Sequence, residues 1–238
     1  MNQALNINQE KKPVLAYPSA SIIVLRETEV SFEVLMARRS EKLRFAPGAY
    51  VFPGGKVDDE DYITADTHVA GYGDGAHRIA ALRELAEETG VEIPLTLASN
   101  LSYFAHWITP PQSPKRFDTK FYLTHTSQAH VLKPDGTETQ EAFWVDPHDM
   151  LKKEQEGEVK MMFPTRLNLM KLAQSTTMHQ ALHNAEEENI ISVMPAMEMR
   201  GDEMWFTIPP LAGYPISEVK RDNIFELMGV KKIKQKNP

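Results

Sequence analysis

Cysteine is absent from the 238-residue sequence. Disulfides, zinc–thiolate sites, iron–sulfur clusters and thiol nucleophiles are therefore excluded, so any metal must be held by oxygen or imidazole ligands. Long apolar runs are also missing, since no segment approaches the roughly 18 apolar residues of a membrane span. The first residues lack the basic and apolar stretches of a secretory signal. We therefore expect a soluble, cytoplasmic protein with no membrane partner.

Basic charge is in deficit, because 26 Lys and Arg residues face 33 Asp and Glu residues, for a formal net charge of −7. Proteins that bind nucleic acids in general rely on basic surface, so we expect no nucleic-acid partner. The segment from Arg38 to Lys56 departs from this balance, with a local excess of four positive charges. An anionic ligand could bind there, and a solvated basic loop would have the same composition.

The pattern of apolar residues predicts an α/β protein with three parts. These are an N-terminal arm at 1–17, a main domain at 18–160, and a helical and hairpin extension at 161–238 packed on the same domain. In the main domain, strands are predicted at 21–25, 32–36, 49–52, 101–107, 120–125 and 142–145. In the extension, helices at 164–174 and 178–188 precede a hairpin of 190–200 and 204–208, and the basic stretch 231–236 is expected to be a frayed terminus.

The segment 58–75 is acidic, contains glycine and has no helical period, so we predict a surface loop. A helix is predicted at 76–89, with Gly90 as its left-handed C-terminal cap. Another helix is predicted to begin after Asp146, with Pro147 in its first turn.

Three glutamates, Glu84, Glu87 and Glu88, share one face of the helix predicted at 76–89. Successive helical residues turn by about 100°, so these side chains fall within one arc, and the opposite arc is apolar and would pack on a sheet. Like charges at these spacings repel by a few tenths of a kcal/mol per pair. A divalent cation such as Mg²⁺ would reverse that repulsion, whereas a solvated acidic surface is the common alternative for such a run.

The run Arg83-Glu84-Leu85-Ala86-Glu87-Glu88-Thr89-Gly90-Val91 resembles the second half of the Nudix box, R-E-U-x-E-E-x-G-U, where U is aliphatic. The resemblance implies a Nudix hydrolase with an α/β/α sandwich fold and a mixed sheet, here followed by a C-terminal α+β extension. It implies cleavage of nucleoside diphosphates linked to another group. The resemblance also implies that Arg83 orients the carboxylates, and that Mg²⁺ or Mn²⁺ is held by Glu84, Glu87, Glu88 and a backbone carbonyl at Gly54 or Gly55.

The first half of the box is interrupted. Gly55 lies 28 positions before Arg83, so about 14 residues are extra, and Gly75 stands where counting back from Arg83 places the first glutamate of the box. That glutamate braces the metal cluster in the family. Another acidic residue must replace it, and the sequence leaves the candidates open: Asp58, Asp59, Glu60, Asp61, Asp66 or Asp74.

The segment 35–55 is similar to the signature of coenzyme A diphosphatases, L-L-T-x-R-S, three residues, R, three residues, G, three residues, F-P-G-G. The spacing is kept, and Met36 and Ala37 replace the leucine and threonine. Arg39 and Arg44 would supply forked donors to the 3′-phosphate of the adenosine. The resemblance implies a substrate site at Arg38, Arg39, Ser40, Arg44, Phe52, Gly54, Gly55 and Lys56.

A further glutamate on a later loop often completes the Nudix site, a few residues before a tryptophan. Glu138 and Glu141 both precede Trp144 in this way, and either could bind metal or take the proton from water. We favour Glu138.

The expected reaction is the Mg²⁺-dependent hydrolysis of coenzyme A or acyl-coenzyme A to 3′,5′-ADP and (acyl-)4′-phosphopantetheine. One alternative is a pyrophosphatase for ADP-ribose, NADH or another ADP-linked compound. Another is a non-catalytic Nudix module that senses a ligand, although such modules generally lose box carboxylates. RNA decapping is disfavoured by the acidic balance of the chain. The expected partner is a small molecule, and a homodimer is compatible with the family.

Overall fold

The structure is a computed structural model that describes residues 14–220. Its centre is an eight-stranded mixed sheet with the strand order β3-β2-β1-β6-β5-β8, to which β4 adds on β1 and β7 on β2. The strands are β1 (Ala16–Glu27), β2 (Phe32–Arg39), β3 (Tyr50–Val51), β4 (Gly54–Lys56), β5 (Ser102–Ile108), β6 (Arg116–His125), β7 (Thr139–Val145) and β8 (Ser192–Val193). β1 is parallel to β6, β5 is parallel to β8, and the other pairs are antiparallel.

Helices cover both faces of this sheet. Alternate residues of β1 enter two separate cores, with Ile22 and Val24 in one and Ile23 and Leu25 in the other. The first core is closed by α1 (Asp59–His68) and α2 (Gly75–Thr89). The second is closed by α3 (Pro147–Gln155), α4 (Phe163–Leu172) and α5 (Met178–Glu187). The expected α/β/α sandwich is therefore confirmed.

β1 and β2 form an antiparallel hairpin. Its turn is closed by the Thr28 amide, which donates to the Ser31 carbonyl at 3.1 Å, and by the Ser31 amide, which donates to the Thr28 hydroxyl at 3.0 Å. β1 begins at Ala16, two residues before the predicted start of the domain at 18. Most of the predicted arm lies outside the described residues, as does the basic stretch 231–236.

The loop predicted at 58–75 is wrong, because α1 occupies most of it. Asp58 and Asp61 form a capping box at the start of this helix, and acidic residues fill its first turn, where the helix dipole favours them. Only Asp61 and Ala65 of α1 are buried, so the helix has no apolar stripe. The helical period that the sequence would have to show is therefore missing.

The C-terminal extension begins with helices that share the second core. Leu167 and Leu169 of α4 are fully buried in the same cluster as Ile23 and Leu25 of β1. The predicted hairpin is present as β9 (Ala196–Arg200) and β10 (Glu203–Thr207), with β11 (Glu218–Lys220) as a third strand. Within residues 14–220, no helix has the length and apolar composition needed to cross a membrane.

Candidate active site

Helix α2 carries the acidic side chains of the site. It ends at Thr89, and Gly90 adopts the left-handed conformation with φ of 72° while its amide donates to the Ala86 carbonyl at 2.9 Å. Leu82 and Leu85 are buried against the sheet. This packing confirms the predicted helix and its apolar face, and it leaves Glu84 and Glu88 on the side toward Gly54 and Gly55 of β4.

Glu88 is buried, with 6% of its surface exposed. Its carboxylate accepts a hydrogen bond of 2.9 Å from the Gly54 amide. Burial raises the pKa of Glu88 to about 8, with the nearby charges of Glu84 and Glu138 adding to the rise, while the Gly54 amide and Arg39 oppose it. A carboxylate in such a place gains from a cation or a proton.

Glu84 lies against Gly55, the second residue of β4. A Cβ atom added at Gly55 would overlap the Glu84 carboxylate, so this contact requires glycine. Burial raises the pKa of Glu84, and the charges of Glu87 and Glu138 add to the rise against the effect of Arg83. The carboxylates of Glu84 and Glu88 therefore both lie at the start of β4. Glu138 is near enough for its charge to raise the pKa of each.

Arg83 joins α2 to β4. Its guanidinium donates to the Glu84 carboxylate at 2.9 Å, to the Glu87 carboxylate at 3.1 Å and to the Lys56 carbonyl at 2.9 Å. Hydrogen bonds to Asp61 are the largest cause of the raised pKa of Arg83. The expected orienting role of Arg83 is in keeping with these contacts.

Asp61 is the carboxylate that braces Arg83. It is 2% exposed, and it accepts from the Arg83 Nε at 3.1 Å and from Nη2 at 3.0 Å. Gly75 does not take this place, because it packs at the junction of α1 and α2, where a Cβ would come within 3.0 Å of Val69 and 3.2 Å of Ala65. The position assigned to the first box residue by counting back from Arg83 is therefore wrong.

The sequence did contain an indication of this role. Counting forward from Gly55, five residues separate it from Asp61, which is the spacing of the first half of the box, with aspartate in place of glutamate. The extra residues then fall between Asp61 and Arg83. They form the rest of α1 and the turn to α2, so the contact between Asp61 and Arg83 is kept.

The two later glutamates have different surroundings. Glu141 is half-exposed and forms an ion pair of 3.1 Å with Arg38. The charge of Glu138 instead raises the pKa values of Glu84 and Glu88, after the larger effect of burial on each. The preference for Glu138 remains a prediction, and the ion pair of Glu141 favours it.

Asp135, which the sequence reading did not single out, shapes the loop that carries Glu138. Its carboxylate accepts hydrogen bonds from the backbone amides of Thr137, Glu138 and Thr139 at 3.3, 3.1 and 2.7 Å. The Glu138 carbonyl in turn accepts from the Ser40 amide at 2.8 Å, which ties the loop to the end of β2. An aspartate just before a glycine is a common turn pattern, and it was the available indication.

The expected substrate residues are only partly brought together. Arg39 donates to the Phe45 carbonyl at 3.4 Å, and Arg44 is exposed on the following loop. Arg38 faces away toward Glu41 and Glu141. The side chains that the structure withdraws from a substrate are Ser40, which is 2% exposed, and Phe52, which is 3% exposed in the second core.

The acidic side chains suit a hard divalent cation by their chemistry, since all of them are oxygen donors. Glu88 supplies the strongest indication, because it is a buried carboxylate that has no cationic hydrogen-bond partner among the residues that the structure describes. Within residues 14–220, no three acidic or histidine side chains already converge as ligands. The reason is that Glu84 and Glu87 face Arg83, whereas Glu88 faces the Gly54 amide.

The class of this domain is defined by an α/β/α sandwich in which a Gly-Gly strand segment and a helix together present a cluster of carboxylates. Comparison with protein families identifies it further. Residues 16–164 match the model of the NUDIX domain, which is more than half of the chain, so the protein belongs to the Nudix family.

Curated relatives support this assignment. Nudix hydrolase 7 of Caenorhabditis elegans is 30% identical over 188 residues, which covers 66% of this chain and 60% of that protein. The m7GpppN-mRNA hydrolase NUDT17 of Danio rerio is 33% identical over 132 residues, covering 50% and 39%. The acyl-coenzyme A diphosphatase NUDT19 of Xenopus laevis is 22% identical, covering 77% and 72%. The chain thus spans less than two thirds of the length of the first two relatives.

A solved structure shows the same fold. The NUDIX hydrolase from Alicyclobacillus acidocaldarius superimposes with a TM-score of 0.62 and 28% sequence identity, covering 71% of this chain and 96% of that one.

Proposed function

We propose that this chain hydrolyses the diphosphate linkage of coenzyme A or acyl-coenzyme A to 3′,5′-ADP and (acyl-)4′-phosphopantetheine. The observation that carries the hydrolase activity is the buried Glu88 carboxylate held on the Gly54 amide, beside Glu84 on Gly55. Gly54 and Gly55 have no side chains that would fill the space beside Glu84 and Glu88, so a phosphate can approach the carboxylates.

Different residues of the chain would have different roles in this reaction. A bound divalent metal, Mg²⁺ or Mn²⁺, would neutralise the diphosphate and promote ionisation of water, with Glu84, Glu87, Glu88, Glu138 and the Gly55 carbonyl as its ligands. Arg83 sets the direction of Glu84 and Glu87 through its hydrogen bonds. Glu88 or Glu138 would accept the proton of the attacking water.

The proposed substrate rests on two further observations. The sequence places Arg39 and Arg44 before Gly54 and Gly55, and Lys56 directly after them. A coenzyme A molecule carries an additional 3′-phosphate that such basic side chains would bind. The relative from Xenopus laevis is named an acyl-coenzyme A diphosphatase. The same site chemistry would serve ADP-ribose or NADH.

A substrate panel tests the proposal. Coenzyme A, a short and a long acyl-coenzyme A, ADP-ribose, NADH and a capped RNA are each incubated with the full chain and Mg²⁺, and products are identified by mass. We expect the highest kcat/KM for coenzyme A or an acyl form. A preference for ADP-ribose, NADH or capped RNA would overturn the substrate. Binding without turnover of any compound would overturn the hydrolase and indicate a ligand-sensing module.

The carboxylates are tested by single substitutions. We expect Glu84→Gln and Glu88→Gln each to lower kcat by roughly 10²- to 10⁴-fold, because each removes a charge from the cluster. Glu92→Gln is the matched control, since Glu92 is exposed just beyond α2, and it should retain activity within about twofold. Full activity of the Glu84 or Glu88 variant with excess Mg²⁺ would contradict the proposed mechanism.

Glu138 and Glu141 provide a second matched pair. Glu138→Gln should lower kcat by at least about tenfold, because its charge acts on Glu84 and Glu88. Glu141→Gln should change kcat by less than about threefold, because that side chain pairs with Arg38. The opposite order of the two effects would transfer the role to Glu141.

A further inference from the structure

Three aromatic side chains contact one another in a row, which we call the aromatic row: Tyr17, Phe117 and Phe45. Tyr17 of β1 and Phe117 of β6 are direct partners in the parallel pairing, with ring centroids 6.5 Å apart. Phe45, from the loop after β2, lies 5.8 Å from Phe117 by the same measure. Tyr17 is 48% exposed and the other two rings are partly exposed, so solvent reaches the row.

Two lysines lie over these rings. The Lys56 Nζ is 4.4 Å from the centroid of Tyr17, and the Lys115 Nζ is 5.0 Å from the centroid of Phe117. Among residues 14–220, neither lysine forms an ion pair with a carboxylate. The row therefore combines apolar ring faces with two positive charges that form no ion pair within the described part of the chain.

Both ends of the aromatic row connect to the catalytic groups. At one end, Lys56 covers Tyr17 with its side chain while its carbonyl accepts from Arg83 at 2.9 Å. At the other end, the Phe45 carbonyl accepts from Arg39, whose charge acts on Glu88. The row is thus joined to the carboxylate cluster through one residue on each side.

We propose that the aromatic row binds the purine base of the nucleotide half of the substrate. Partly exposed rings offer faces on which a base can stack, and the lysines attract the phosphates that accompany it. The connection through Lys56 and Arg39 carries the attached diphosphate toward Glu84 and Glu88. This inference rests on the proposed function, because it assumes a nucleotide-linked substrate.

Removal of the rings tests the inference by the split between KM and kcat. In Tyr17→Leu and Phe117→Leu, we expect the KM for the best nucleotide substrate of the panel to rise by roughly 5- to 50-fold, while kcat stays within about twofold. Phe117→Tyr keeps a ring and should restore a near-native KM. Tyr62→Leu is the matched control, because Tyr62 is also 48% exposed and lies on α1. Tyr17 is half-exposed, so its variant remains informative if Phe117→Leu does not fold.

Binding of 3′,5′-ADP is measured separately by calorimetry on the same variants. The dissociation constant should rise in Tyr17→Leu and stay unchanged in Tyr62→Leu. Unchanged KM and unchanged affinity in Tyr17→Leu would overturn the inference and leave the row to another occupant, such as residues 1–13 or a second copy of the chain. If the wild-type chain cleaves no diphosphate, the proposed function fails, and the binding measurement still decides whether a base uses the row.

Discussion

At the scale of single residues, Arg83 connects both halves of the Nudix motif. Its guanidinium donates to Asp61 of α1, to Glu84 and Glu87 of its own helix, and to the Lys56 carbonyl of β4. A forked, permanently charged side chain suits this position, because it can donate in several directions at once. Loss of one partner therefore affects the others.

Replacement of Asp61 measures that dependence. Asp61→Asn removes the charge that faces Arg83 in a buried position, so we expect a loss of about 1.5–3 kcal/mol in the free energy of unfolding and a fall in kcat of about tenfold or more. Chemical denaturation and steady-state kinetics provide the two measurements. Asp59→Asn, an exposed substitution in the same turn, is the control and should change neither. Native stability and activity in Asp61→Asn would show that Arg83 needs no brace.

The sequence predicted the acidic side chains of this site more reliably than its brace. Glu84, Glu87 and Glu88 are fixed relative to one another by helical geometry, so their shared face could be calculated. The partner of Arg83 lies across an insertion, and a gap in a motif can be placed at more than one point. Only the fold shows that the extra residues follow Asp61.

At the scale of elements, α2 meets the sheet through polar groups at its N-terminal end. The Asp74 carboxylate accepts from Arg78 at 2.9 Å and from the Tyr122 hydroxyl at 2.8 Å. Burial lowers the pKa of His77 to about 4, and the charge of Lys120 contributes, while Asp118 and Asp74 oppose the shift and His106 adds to it. The folded state therefore favours the neutral form of His77 at this end of α2.

This packing predicts a stability that depends on pH. The folded-state pKa of His77, about 4, lies below its unfolded value near 6.5, so the contribution is complete above about pH 6.5 and is lost as pH falls toward 4. The full linkage over this range is about 1.8 kcal/mol, and solvent screening reduces it because the ring is partly exposed. In urea denaturation, His77→Gln should therefore lose about 1 kcal/mol less stability than wild type between pH 7 and pH 5. His68→Gln, at an exposed position of α1, should follow the wild type. An identical pH dependence in His77→Gln would contradict this account.

The two helices of the motif differ in how well the sequence predicted them. The observed α2 begins one residue before the predicted start and ends at the predicted residue, because its apolar residues recur with the helical period and Gly90 ends it. α1 was predicted as a loop because its order depends on a capping box and on Asp61, and neither leaves a hydrophobic pattern. Predictions from periodicity find helices that bury an apolar stripe.

At the scale of the whole molecule, the C-terminal extension and the Nudix domain share one of the two cores. Phe163 and Leu167 of α4 belong to the same buried cluster as Phe104 and Trp107 of β5. A hydrogen-bonded chain also links them, since the Trp107 indole donates to the Tyr214 hydroxyl at 2.8 Å and Tyr214 donates to the Asn168 side chain at 2.7 Å. We therefore expect a single unfolding transition.

Leu167→Ala tests this shared core. Leu167 is fully buried, so its truncation should lower the free energy of unfolding by about 2–5 kcal/mol, and the transitions followed by circular dichroism and by loss of hydrolytic activity should still coincide. The control Leu211→Ala, at a position that is 83% exposed, should cost less than about 0.5 kcal/mol. Two separate transitions in Leu167→Ala would mean that the extension unfolds independently.

The turn between α1 and α2 has a practical consequence. Gly71 and Gly73 both lie in open space, where an added Cβ would meet no atom within 4 Å, and the brace formed by Asp61 precedes them. The extra residues of the motif lie here, between Asp61 and α2. The same turn is a suitable point for grafting a fluorescent tag or a peptide epitope, which would report on the enzyme in cells without altering its active site.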